Sequence, residues 1–113
     1  MYVNGVKLMT NIEKIEKLER LMASNTVNEY HYYDCLQDIG DLNGNYYHYL
    51  TTSPMEPEIE LKRIPEADYN LCAALLTMLL REDHFSNGQF ERRYQQGVIT
   101  SIIQRMVSLL KTT

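Results

Sequence analysis

The sequence predicts a mainly α single domain: four or five helices around one buried central helix, with a small two-stranded hairpin as an optional addition. Three observations carry this. Between residues 71 and 80 only Thr77 is polar, so a helix through LCAALLTMLL is apolar on nearly every side and needs other elements around it. Two further stretches, 10–22 and 98–111, repeat apolar residues at helical spacing. The length, 113 residues, is that of one domain that can bury a core without disulfide or metal staples. The central run is too short to cross a bilayer, which takes about 20 apolar residues, and Arg81, Glu82 and Asp83 close it off.

The domain is read over 1–113, with residues 1–9 as an extended arm or tiny hairpin, because Asn4 and Gly5 place a turn signal between short β-prone flanks. Thr10 and Glu13 have capping-box spacing, and Ile12, Ile15, Leu18, Leu21 and Met22 then fall along one helical face. Glu13 with Lys17 and Glu16 with Arg20 lie on the solvated face. A second helix is expected over 26–39, stopped by Gly40. Residues 45–64 carry the optional hairpin: a tyrosine-rich run, a Pro-containing loop and an alternating run, EIELKRI.

Pro65 can open the central helix at N1, with Ala67, Leu71, Leu75 and Met78 along one side and Cys72, Leu76 and Leu79 along the next. The turn after it holds Asp83, His84, Ser86 and Asn87, an acid, an imidazole, a hydroxyl and an amide in five residues. Helix-start chemistry accounts for most of them. With Ser86 as N-cap, Gln89 stands at N3 of a capping box, Phe85 and Phe90 form a hydrophobic staple, and Gly88 lets backbones approach. A short helix then runs to about residue 96. Gly97 is either its C′ residue or a break in a longer helix, and a last helix over 98–111 closes the bundle.

This Phe85, Ser86, Asn87, Gly88 turn, the second glycine at Gly97 and the apolar ending VITSIIQRMVSLL resemble the C-terminal part of an uncharacterised family of small bacterial proteins, a domain of unknown function. The resemblance covers residues 76–110. It implies a small, mainly helical bacterial protein and supplies no activity.

Charge is unevenly placed. From residue 21 to 61 there is no Lys or Arg against seven acids, while the rest of the chain carries the eleven basic and eight remaining acidic side chains. Nucleic acid is disfavoured, because platforms that stack bases sit in basic grooves. Arg81, Arg92 and Arg93 are the residues through which weak nucleic-acid binding would run. The same middle is rich in tyrosine, a residue enriched at protein interfaces for its large rigid area and polar tip. Tyr30, Tyr33, Tyr46, Tyr47 and Tyr49 are therefore the candidate contacts for a protein partner, a basic protein or a second copy. Set against this, a chain with no tryptophan and two phenylalanines can use tyrosine as its core aromatic.

A metal-dependent or small-molecule enzyme is the competing expectation. His31, Asp34, Cys35 and Asp38 occupy i, i+3, i+4 and i+7 of one helix, and His48 would join from elsewhere. No CxxC, HExxH, phosphate loop or G-x-S-x-G elbow supports it, and no cofactor is expected. Cys35 and Cys72 read as free buried thiols and the N-terminus has no signal-peptide core, so a cytoplasmic place is expected. The leading expectation is a non-enzymatic bacterial interaction or regulatory protein.

Overall fold

A computed structural model describes residues 2–3, 6–7 and 9–112, with side chains from residue 9 onward except those of His84 and Phe85. Two short strands, β1 (Tyr2–Val3) and β2 (Val6–Lys7), pair antiparallel, and the Asn4 and Gly5 turn signal lies outside the described residues. Then come α1 (Asn11–Ala23), α2 (Glu29–Asp38), a 3₁₀ helix at Tyr46–Tyr49, α3 (Pro57–Glu60), a second 3₁₀ helix at Leu61–Glu66, α4 (Tyr69–Phe85), α5 (Gln89–Gln95) and α6 (Val98–Lys111). The mainly helical architecture is the expected one, with six α-helices among the described residues rather than four or five.

Three of the helices, α1, α2 and α4, start where a side chain offers an acceptor for orphan N–H groups. In α1 the Thr10 hydroxyl accepts from the Glu13 amide at 3.2 Å, and the Glu13 carboxylate accepts from the Thr10 amide at 3.2 Å, completing the capping box. Helix α2 begins at Glu29, later than expected, because Asn28 rather than Thr26 is its cap and accepts from the Tyr30 amide at 2.9 Å. Thr26 supports that cap from outside, accepting from the Asn28 amide at 3.1 Å. Helix α4 opens at Asp68, which accepts from the Leu71 amide at 2.8 Å; Pro65 falls inside the second 3₁₀ helix and does not open α4.

The core is built on α4, every residue of which from 72 to 80 is buried. Leu18 of α1, Leu36 of α2, Phe90 of α5 and the stripe Ile99, Ile102, Ile103, Met106 of α6 join it. Helix α6 packs against both α1 and α4, so it does close the bundle. The apolar stripe of α1 that reaches the core begins at Ile15; Ile12 is 70% exposed.

Between residues 45 and 64 the hairpin is absent. Pro57 takes the first position of α3, where its fixed φ suits a helix and its missing N–H costs nothing, and the same ring would have broken a strand ladder. The turn after α4 differs as well. Ser86 ends α4, its amide bonding to the Glu82 carbonyl at 3.0 Å, and the N-cap of α5 is Gly88 at φ +88°, a left-handed conformation that favours glycine. The Ser86 and Gln89 capping box is therefore not formed, and the Phe85 half of the staple lies outside the described side chains. A side chain does cap α5, from the preceding helix: buried Asp83 accepts from the Phe90 amide at 2.9 Å. Asp83→Ala is accordingly expected to cost about 1 to 2 kcal/mol in urea denaturation, and Ser86→Ala a few tenths. Equal losses would restore Ser86 as the cap. Gly97, at φ +81°, resolves as the C′ residue of α5 and the N-cap of α6 together.

Candidate partner-binding surface

The tyrosines divide by environment. Tyr32 belongs to the core: it is fully buried, its ring lies 5.0 Å from that of Phe90, and its hydroxyl donates to the Thr26 carbonyl at 2.7 Å. Burial pushes that phenol up to about 12, with Tyr94 adding to the effect. Tyr33 and Tyr46 are half-buried against the core, whereas Tyr30 is 67% exposed, Tyr47 58% and Tyr49 37%. Core demand for an aromatic is met by Tyr32 and Phe90, and it does not account for the exposed three.

The second tyrosine group is held in place by a buried carboxylate. Tyr46 to Tyr49 form a 3₁₀ turn packed on α4, with Tyr47 edge-on to Tyr46 and stacked near His48 at 4.5 Å. Glu60, at 0% exposure, accepts from the Thr51 and Thr52 amides at 2.9 and 2.8 Å, from both their hydroxyls, and from Arg63 Nη1 at 3.0 Å. The same Arg63 nitrogen donates to the Tyr49 carbonyl at 2.6 Å. One carboxylate thus ties the end of the tyrosine turn and the following loop to α3.

Burial would push the Glu60 carboxyl up, but the hydrogen bonds from Thr52, Thr51 and Arg63 outweigh it and bring the group down to about 2. A folded-state value below the ordinary glutamate range stabilises the fold above about pH 4 to 5, and that stability is lost as pH falls toward 2. Glu60→Gln, which swaps an acceptor for an amide facing donors, is expected to cost about 2 kcal/mol at neutral pH and to flatten the acid limb. An unchanged acid midpoint would count against this account.

Much of the acidic middle is used internally. Asp38 pairs with Lys17 at 2.6 Å, Asp41 with Lys14 at 2.9 Å while also accepting from the Tyr69 hydroxyl, Glu58 with Arg93 at 2.6 Å, and Glu60 with Arg63. Burial and the Asp41 hydrogen bond together push the Tyr69 phenol well above its usual range. Glu29, Asp34 and Glu56 have no ion pair among the described residues. The surface is therefore less acidic than the sequence alone implies.

Four of the five expected metal ligands share one groove, and the fifth lies elsewhere. His31, Asp34, Cys35 and Asp38 line an open groove between α1 and α2, with Lys17 and Arg20 on its other side; His48 sits in the 3₁₀ turn and does not line it. His31 Nδ1 lies 2.7 Å from the Thr26 hydroxyl, and Asp38 is committed to Lys17. Among the described residues no three His, Cys, Asp or Glu side chains are placed to hold a metal. Cys35 is pushed up to about 11 by burial, with Asp38 adding and Lys17 opposing; Cys72 is likewise pushed up to about 11 by burial. Both remain thiols near neutral pH, which is poor preparation for a nucleophile or a thiolate ligand.

The arginine set is also divided. Arg93 is 4% exposed, binds Glu82 through two nitrogens at 3.1 and 3.0 Å, and reaches Glu58. Hydrogen bonding to Glu82 raises its guanidinium above the usual value despite burial. Arg92 bonds to Gln89, and Arg105 donates to the Ala67 carbonyl at 2.9 Å. Of the expected patch, Arg93 is thus buried in ion pairs, while Arg81 and Arg92 are exposed and have no ion pair among the described residues.

A smaller pocket, about 240 Å³, opens between the first turns of α2 and the C-terminal half of α4. Its lining includes Tyr30 and Tyr33 from α2 and Arg81, Asp83 and Asn87 from the other side. In the sequence the tyrosines and the turn are separate features. Their meeting depends on α2 packing across α4, for which no local signal exists.

Fold and surface together describe a mainly helical domain organised on one buried helix, and no helix among the described residues is long and apolar enough to cross a membrane. The model of the family of unknown function DUF6508 matches residues 45–112, more than half of the chain, and the chain belongs to that family. No curated protein and no solved structure matches it. The matched part takes in Tyr46, Tyr47 and Tyr49, the Glu60 clamp, the Arg93 ion pairs and the turn from Asp83 to Gly97. Helices α1 and α2, with the open groove between them, lie outside it.

Proposed function

We propose that this chain is a non-enzymatic interaction or regulatory protein of the bacterial cytoplasm that binds a protein partner through its exposed tyrosines. The observation that carries the reading is the exposure of Tyr30, Tyr47 and Tyr49 in a protein whose core aromatic positions are already filled by Tyr32 and Phe90. An exposed tyrosine offers wide apolar contact at low entropic cost and keeps a hydroxyl for hydrogen bonding. The Glu60 and Arg63 clamp supports it further, because it fixes the carbonyl of Tyr49 and so presents a rigid surface. Catalysis draws less support: burial keeps Cys35 and Cys72 as thiols, and His48 lies outside the groove that His31 lines.

The test is affinity capture from a bacterium that carries the protein, with mass spectrometry of what is retained. Tyr47→Ala combined with Tyr49→Ala is expected to abolish capture while leaving thermal unfolding essentially unchanged. Tyr46, half-buried, is left intact so that the fold is not at stake. Undiminished capture by the double variant would remove the tyrosine turn from the contact. Light scattering of the purified protein separates a second copy from a foreign partner.

A further inference from the structure

We infer that the pocket between α2 and α4 receives one cationic side chain, a guanidinium or ammonium, from the partner polypeptide. This rests on the interaction reading above and names what the partner must present. At about 240 Å³ the pocket is below the roughly 300 to 1,000 Å³ typical of small-molecule sites and suits a single long side chain. Leu42 and Leu80 give it apolar wall for a methylene stem.

Its polar lining favours positive charge. Glu29 has no ion pair among the described residues, and Asp83, which spends Oδ1 on the Phe90 amide, keeps Oδ2 without a partner among them. Against these two carboxylates the lining holds one cation, Arg81. Tyr30 and Tyr33 add aromatic rings, whose faces attract cations, and their hydroxyls have no hydrogen-bond partner among the described residues. Asp83 lies in the last turn of α4, the negative end of that helix's dipole. The wider groove between α1 and α2 lacks this bias: Lys17 and Arg20 face its acids, and Asp38 is already paired.

The experiment is an NMR titration of the full-length, isotope-labelled protein with a blocked Gly-Arg-Gly peptide and with the same peptide carrying citrulline, a neutral shape mimic of arginine. The arginine peptide is expected to move amides of residues 29–33 and 80–87 and to bind at least about tenfold more tightly than its citrulline counterpart. Glu29→Gln should weaken it about fivefold, and Arg81→Ala should tighten it by a similar factor. Both changes are at the surface and leave the core intact. Equal binding of the two peptides, shifts confined to the α1 and α2 groove, or indifference to both substitutions would overturn the inference. Capture of a partner that is lost with the tyrosine-turn variant yet unaffected by Glu29→Gln also overturns it, while sustaining the interaction reading. Arginine-selective shifts in a protein that captures nothing would uphold the pocket and overturn that reading instead.

Discussion

Arg93→Ala is expected to destabilise the protein by about 3 to 5 kcal/mol, the range for breaking a buried ion pair from one side. The guanidinium side chain is 5% exposed and joins Glu82 of α4, itself 10% exposed, to Glu58 at the start of α3. Glu58 is well exposed and can hydrate once its partner is gone. Glu82 cannot do so as readily, and most of the loss comes from leaving its carboxylate in a poorly solvated place. The cost is therefore one of an orphaned charge, which distinguishes it from a simple loss of packing. Combining Arg93→Met with Glu82→Leu removes the orphan, and the double variant is expected to recover much of the stability that Arg93→Ala loses. Urea denaturation of the single and double variants decides the matter; a double variant as weak as Arg93→Ala would show that the guanidinium contributes geometry rather than charge balance.

Leu76→Ala should cost about 2 to 5 kcal/mol through lost burial and the cavity left behind. Leu76 is fully buried midway along α4, in a stretch where each neighbour from 72 to 80 is also buried, so no solvent-exposed face exists onto which the site can relax. The loss should show as a lower denaturation midpoint with an unchanged slope, because the unfolded chain exposes nearly the same surface. A variant as stable as the parent would mean that α4 is not the organising element of the core.

The two predictions draw on different information. Leu76 is legible without coordinates, since ten residues with a single polar member admit no helix face turned to water. The same holds for the Thr10 and Glu13 capping box and for the span of α6, where spacing and local chemistry act within a few residues of each other. Pro57 at N1 with Glu58 after it was a helix-start signal that the alternation in EIELKRI overshadowed. Arg93 is the opposite case. In sequence it stands beside Arg92 as part of a basic pair, and only the packing of α4, α5 and α3 takes it inside.

Periodicity and composition along the chain are enough to make it mainly helical, to mark the helix that the rest surrounds, and to concentrate tyrosine and acid in one stretch. Which of those side chains remain available depends on how the helices pack. Tyr32 went to the core and Tyr30, Tyr47 and Tyr49 to the surface; four of the seven middle acids went to ion pairs; and the cap of α5 passed from Ser86 to Asp83. The physical reason is that a hydrogen bond or ion pair is settled by distance in space, and partners such as Glu60 with Thr51 or Asp83 with Phe90 come within reach only after the helices have packed.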